Sequence, residues 1–226
     1  MVCTCLTTGI ASAAEMSVRE TVQTRIDQAM TVIRDPAFQT ESSLPVLRAK
    51  LVETLEPLFT FREMTVRALG ANARSLKPGQ IDTLTPLFRK LLERVYIDRL
   101  TANLVSSENR YTVENIEITG VEERGNFAKV LSKASIVQDG DRTDLAMNYR
   151  LVRRDSSWVV YDVEIEGVSL IENYRAQFTD ILTSKSFDDL VHAVEQNIFA
   201  LEKKGPDRPI DRDKKSAKKT RGEVKK

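Results

Sequence analysis

The order of patterns along this chain predicts an α+β domain: a curved four-stranded antiparallel sheet wrapped by N- and C-terminal helices, cone-like with an apolar interior. Three observations predict it. Apolar residues recur at three- and four-residue steps between Val22 and Leu100, they recur at every second residue between Tyr111 and Ile165, and at Gly167 the period returns to the helical one.

Each element follows in turn. From Met16 to Ile33 the residues Val22, Ile26, Ala29, Met30 and Ile33 share one helical stripe, and Asp35-Pro36 stops it. A second helix opens at Ser43 with Pro45 in its first turn and carries Leu44, Leu47, Leu51, Leu55 and Leu58 on one face. The segment from Phe59 to Gly70 forms a third, short helix. After Lys77-Pro78-Gly79-Gln80 comes a long one with Leu84, Leu87, Phe88, Leu91, Leu92, Val95, Tyr96 and Leu100 on its apolar side, and Pro86 predicts a kink in it.

Strands are expected over Tyr111 to Thr119, Asn126 to Gln138, Thr143 to Arg153 and Ser157 to Glu166. The turn signals Arg124-Gly125-Asn126, Asp139-Gly140-Asp141 and Arg154-Asp155-Ser156 join them, and such short connections favour an antiparallel meander. Two helices, about 168–182 and 187–203, close the fold. In the third strand Leu145, Met147, Tyr149 and Leu151 share one face and Asp144, Asn148 and Arg150 the other, so the inward side is unambiguous. The second strand turns Ala128, Val130, Ser132, Ala134 and Ile136 the same way, and three of these are small enough to leave room. Phe88, Leu92 and Tyr96 of the kinked helix, with Tyr161, Val163 and Ile165 of the fourth strand, are expected to face that space and enclose an apolar cavity. From periodicity alone, a dry core filled by the same side chains is the favoured reading.

The ends read differently from the body. Residues 1–14 resemble the remnant of a secretory signal, with Ala11-Ser12-Ala13-Ala14 as the small residues before cleavage. Both cysteines, Cys3 and Cys5, fall inside it, so a single domain over residues 15–204 carries neither a disulfide nor a cysteine metal site. Residues 205–226 are expected to be a disordered basic tail: from Lys203 onward there are eleven basic and four acidic groups, with Ile210 and Val224 as the only large apolar ones. Such a tail could be attracted to an anionic membrane surface.

Catalytic chemistry finds little support. His192 is the only histidine, the nine glycines form no phosphate-binding loop, and the acidic pairs Glu122-Glu123 and Asp188-Asp189 fall beside turns or on helix faces. No cofactor or metal is expected. An enzyme would need Tyr149, Tyr161 or Asp162 to point inward with a perturbed pKa, whereas Asp162 is expected on the strand face opposite Tyr161.

Two motifs carry a resemblance. Residues 158–178 read W-x-V-x-D-V-x-I-E-G-V-S-L-I-x-N-Y-R-x-Q-F, and residues 59–70 read F-x-F-x-x-M-x-x-x-A-L-G. Both resemble the MlaC and toluene-tolerance family of periplasmic phospholipid carriers. Where many members have an aromatic residue just after that glycine, this chain has Ala71-Asn72-Ala73. The resemblance implies a non-enzymatic protein of the periplasm that shuttles phospholipid between an inner-membrane ABC transporter with a lipid-binding ring and an outer-membrane lipoprotein complex, maintaining outer-membrane lipid asymmetry. It implies no nucleic-acid partner. It also tips the balance from dry core to cavity and adds Phe61, Leu69, Val168, Tyr174 and Phe178 to Phe88, Leu92, Tyr96, Val130, Ala134, Met147, Tyr149, Leu151, Tyr161, Val163 and Ile165 as expected lipid contacts. Arg175 is the candidate headgroup contact, with pairing along its own helix to Glu172 as the competing role. A hopanoid-associated carrier of the same family, a non-lipid-binding adaptor and a cone-type enzyme are the alternative readings.

Overall fold

The structure, a computed structural model, describes residues 16–77, 79–106 and 111–204. The signal-remnant reading of residues 1–14 and the tail reading of residues 205–226 lie outside them. Ser17 opens α1 (Val18–Arg34) with a reciprocal cap: its Oγ accepts from the Glu20 N–H, and the Glu20 carboxylate accepts from the Ser17 N–H at 2.9 Å. Pro45 lies in the first turn of α2 (Leu44–Leu55), and Pro57 converts its end into the 3-10 turn Glu56–Leu58. The short α3 (Phe61–Leu69) ends at Gly70, whose φ of +58° a side chain would strain.

The helix α4 (Gln80–Leu92) runs through Pro86, and regular α geometry is lost only at the π-helical stretch Glu93–Ile97 before α5 (Asp98–Val105). Pro86, where a kink is expected, lies inside the continuous helix. Arg48 and Arg89 both reach Glu93, at 3.2 and 2.8 Å, and Arg94 reaches Asp98 at 2.8 Å, so the widened turn is held by paired charges.

The strands β1 (Tyr111–Arg124), β2 (Phe127–Gln138), β3 (Asp141–Arg154), β4 (Ser157–Ile165) and β5 (Val168–Ser169) form one antiparallel sheet in sequence order. The fifth strand corrects the expected count of four. It arises because Glu166 and Gly167, at φ +50° and +80°, make a tight two-residue turn of the kind that Asp139-Gly140 makes between β2 and β3. Irregularities curl the sheet: β1 shifts register near Glu114 and near Thr119, and β4 shifts at Tyr161. The β2–β3 ladder is also interrupted between Val130–Tyr149 and Lys133–Ala146, where Ser132 Oγ donates to the Met147 carbonyl and Ser132 N to Asn148 Oδ1 at 3.3 Å. The small Ala128, Ser132 and Ala134 stand on the concave side there, all buried.

Two apolar clusters result. In the first, α1, α2 and α5 cover the concave face of the sheet, with Val22, Leu47 and Leu51 among the fully buried side chains. The second lies among α3, α4 and the C-terminal helices α6 (Leu170–Ser184) and α7 (Phe187–Lys204), around Phe88, Leu84 and Leu190. Phe59 packs against both, and Asp162 of β4 ties the sheet to the second. This carboxylate is 2% exposed and accepts from Ser169 Oγ at 2.6 Å and from the Ile171 N–H at 3.1 Å, which pins the start of α6 to β4. Ser169 Oγ in turn accepts from the Glu172 N–H and caps the helix.

Asp162→Ala strands those two buried donors and is expected to cost about 2–3 kcal/mol. Asp162→Asn, which keeps an acceptor, is expected to lose less; urea denaturation midpoints check the order, and equal losses would contradict it.

Candidate functional site

The residues expected to line one cavity divide between the two clusters. Val130, Tyr149, Leu151 and Val163 are buried in the first, with Met147 and Ile165 packed against it, and Ala134 is buried on the same concave face opposite Leu145. The helices over this face are α1, α2 and α5. Phe88 and Leu92 instead lie in the second cluster, and Tyr96 packs against it. The Phe88 ring meets Tyr174 at 5.0 Å and Phe178 at 5.3 Å, both edge-on, and the Tyr96 and Tyr174 phenols lie close enough to interact. The correction has a plain cause, since helical periodicity shows that α4 has an apolar face but not which partner covers it.

Tyr161 is a second correction. The β4 register moves from Leu151–Val160 to Arg150–Asp162 and leaves Tyr161 as the extra residue, which turns it away from the concave face. Its ring lies under the Arg67 guanidinium at 3.8 Å and edge-on to Phe127 at 6.4 Å. Val160 takes the inward place, fully buried, and alternation alone could not reveal the swap. Asp162 stands opposite Arg150 of the convex face, but it is buried under α6 rather than outward-facing, and the bulge removes its expected opposition to Tyr161. Val168 is 60% exposed on the edge strand β5, outside both clusters.

Arg175 is a third. Its Nε donates to the Arg67 carbonyl at the end of α3 at 2.8 Å, and its stem lies over Gly70, where an added Cβ would come within 3.2 Å of Arg175 Cδ. The two sequence motifs thus meet here: glycine makes room for the arginine that caps the helix. The expected pairing with Glu172 is not formed, since Glu172 is taken by Arg150 at 3.2 Å. Leu69 is fully buried beside this junction and Phe61 half-buried, both within the second cluster.

Tyr149 is the ionisable group most enclosed in the first cluster. Burial pushes its phenol up to about 12, the neighbouring Ser132 hydroxyl opposes the shift, and its O–H donates to Met147 Sδ at 3.2 Å. It is a neutral phenol at physiological pH, unsuited to act as a base. Among the described residues no group of three or more His, Cys, Asp or Glu could hold a metal ion.

The first cluster reaches the surface at a cleft of about 580 Å³ between α1 and β1, lined by Ile26, Asp27, Met30, Thr31, Arg34, Asp35, Asn115 and Ile116. Ile26, Met30 and Ile116 belong to or pack against the cluster. A smaller groove of about 270 Å³ runs between α6 and α7 beside Phe178. Neither cleft could be read from periodicity, because both depend on how helices dock.

Comparison with known proteins gives one consistent answer. The MlaC protein family matches residues 23–196. The intermembrane phospholipid transport system binding protein MlaC of Haemophilus influenzae is 22% identical over 186 residues, 81% of this chain and 83% of that protein. A phospholipid-binding protein from Ralstonia solanacearum, solved in complex with a phospholipid, is 25% identical, with a TM-score of 0.64 over 80% of this chain and 97% of its own.

Two outcomes follow from the geometry. Gly70→Ala is expected to cost about 1–3 kcal/mol through its positive φ and the Arg175 contact, and combined with Arg175→Ala the loss is expected to be smaller than the sum; strict additivity in a double-mutant cycle would contradict the coupling. Because the Tyr149 pKa is raised in the fold, its contribution is complete below pH 10, the ordinary phenol value, and is lost as pH rises toward about 12. Tyr149→Phe should therefore flatten the alkaline loss of stability in urea titrations, and an unchanged slope would contradict its burial.

Proposed function

The chain belongs to the MlaC protein family, and on that premise we propose that it is a periplasmic phospholipid carrier that moves lipid between inner- and outer-membrane complexes and so maintains outer-membrane lipid asymmetry. The observation that carries most weight is the likeness to the Ralstonia protein, whose structure holds a phospholipid. The concave sheet face supports the same reading: a continuous apolar lining, small residues at its centre, and a polar-rimmed cleft at the surface.

The energetics explain why a carrier must enclose its cargo. Exposing roughly thirty acyl methylenes to water costs on the order of 25 kcal/mol at about 0.8 kcal/mol each. Transfer from bilayer to apolar pocket is nearly neutral by the same arithmetic, so loading and unloading need no chemistry from the carrier itself. Direction then comes from the partners, an inner-membrane ABC transporter and an outer-membrane lipoprotein complex. The lipid is placed against Val130, Ala134, Met147, Tyr149, Leu151, Val163 and Ile165, where its chains displace packing contacts made by α1 and α2. No helix among the described residues is long and apolar enough to cross a membrane.

Protein purified without added lipid is expected to carry stoichiometric phospholipid by native mass spectrometry. Ala134→Trp should lower that occupancy with circular dichroism unchanged, while Tyr161→Phe, on the opposite face, should not. Empty wild-type protein that still binds its membrane complexes would favour an adaptor.

A further inference from the structure

The π-helical turn Glu93–Ile97 stands where one continuous run of helix passes from the second apolar cluster to the first. Leu91 and Leu92 are buried in the second cluster, with Val95 and Tyr96 packed against it, whereas Ile97 and Leu100 pack against the first, in which Leu104 and Val105 are buried. The Asp98 N–H donates to the Glu93 carbonyl, so the residues tied by the widened turn are five apart. In an α-helix, at about 3.6 residues per turn, two side chains so spaced point roughly 140° away from each other. In the π turn a single side chain from another helix reaches both: Arg48 of α2 pairs through Nη2 with Glu93 Oε2 at 3.2 Å and through Nε with Asp98 Oδ1. Arg48 directly follows Leu47, which together with Leu51 seats α2 in the first cluster, both fully buried.

We propose that Arg48 is the latch that closes α2 and α5 over the concave face, and that an entering acyl chain releases it. The inference rests on the carrier reading above. Arg48 bridges Glu93 and Asp98 only while the two share a face, so its ion pairs favour the π turn, a rare geometry, over the α turn. The rigid guanidinium fork presents Nε and a terminal nitrogen side by side, which suits two acceptors held at a fixed spacing. The helix α4 is not free to follow α2 outward, because Phe88 is locked edge-on between Tyr174 and Phe178 in the second cluster. When α2 lifts from the sheet to admit a chain, Arg48 therefore leaves Glu93 and Asp98, and α5 swings about the loosened turn. Opening strands neither carboxylate, since Glu93 keeps Arg89 and Asp98 keeps Arg94, each at 2.8 Å along its own helix. Arg48 is thus a positioning residue: it acts on the covering helices and not on the lipid, and sets how readily the concave face opens.

The test follows the Asp98 amide, donor of the π hydrogen bond, by residue-resolved hydrogen exchange in full-length protein, first delipidated and then loaded from phosphatidylethanolamine vesicles. Uptake of a fluorescent phospholipid is timed in parallel. In wild type, loading is expected to speed exchange at Asp98 on the order of fivefold, the size of a well-formed ion pair, with the Phe88 and Phe178 amides unchanged. Arg48→Ala should give the same acceleration before any lipid is added, loading should then add nothing, and uptake should quicken by a similar factor at unchanged final occupancy. A purely structural ion pair would instead raise exchange equally in empty and loaded protein and leave the uptake rate unaltered. That outcome overturns the latch, as does a loaded wild type whose Asp98 amide stays as protected as in the empty protein; both leave the carrier reading intact. Wild type that takes up no lipid overturns the carrier reading and the lipid-driven release with it, and is told apart because occupancy itself is lost. Should Arg48→Ala fail to fold, Arg48→Gln, which keeps most of the stem without the charge, decides in its place.

Discussion

A carboxylate taken out of water is tolerated only where donors surround it, and Asp162, 2% exposed, has Ser169 Oγ, the Ile171 N–H and, at 3.9 Å, Arg150. These contacts join the end of the sheet to the start of the C-terminal helices within ten residues of chain. The neighbouring bulge at Tyr161 and the tight turn at Glu166-Gly167 place α6 on the convex side of β4. Everything that packs on α6, including Phe88, Leu69 and the Arg175 cap on α3, is thereby committed to the second cluster.

The division matters for function because it leaves the concave face to α1, α2 and α5. The second cluster is dense with interlocking aromatic rings, whereas the first has small residues at its centre and an interrupted β2–β3 ladder. The contrast fits the proposed carrier, which would accept and release chains worth tens of kcal/mol in water without unfolding. The α1 helix is held to the edge of β1 by Arg19 on the Ile118 carbonyl and Arg34 on the Glu114 carbonyl, two contacts that polar groups of a lipid or of water can replace.

Much of this fold was legible in the sequence, because alternation in β1 to β4 and stripes in α1, α2 and α4 are imposed by burial on one face. The inward set of β2 and β3 followed directly. What escaped was everything set by docking or by a single extra residue: Phe88 and Tyr96 keep their periodicity whichever cluster they join, and Tyr161 keeps its place in the alternation while the bulge turns it outward. Val168 was read as the first turn of a helix because Gly167 marks a change of period without showing that a two-residue strand intervenes. The Gly70–Arg175 contact joins residues more than a hundred positions apart, so each motif was visible but not the bond between them.

The central claim is that acyl chains occupy the concave face under α1 and α2 and not the aromatic cluster among α4, α6 and α7. Loading the protein with a phospholipid that carries a diazirine on its acyl chain, irradiating, and mapping the labelled peptides by mass spectrometry tests it most directly. The account predicts labels on β2, β3 and α1 around Val130, Ala134, Tyr149 and Met30. Labels confined to peptides containing Phe88, Tyr174 and Phe178 would contradict it.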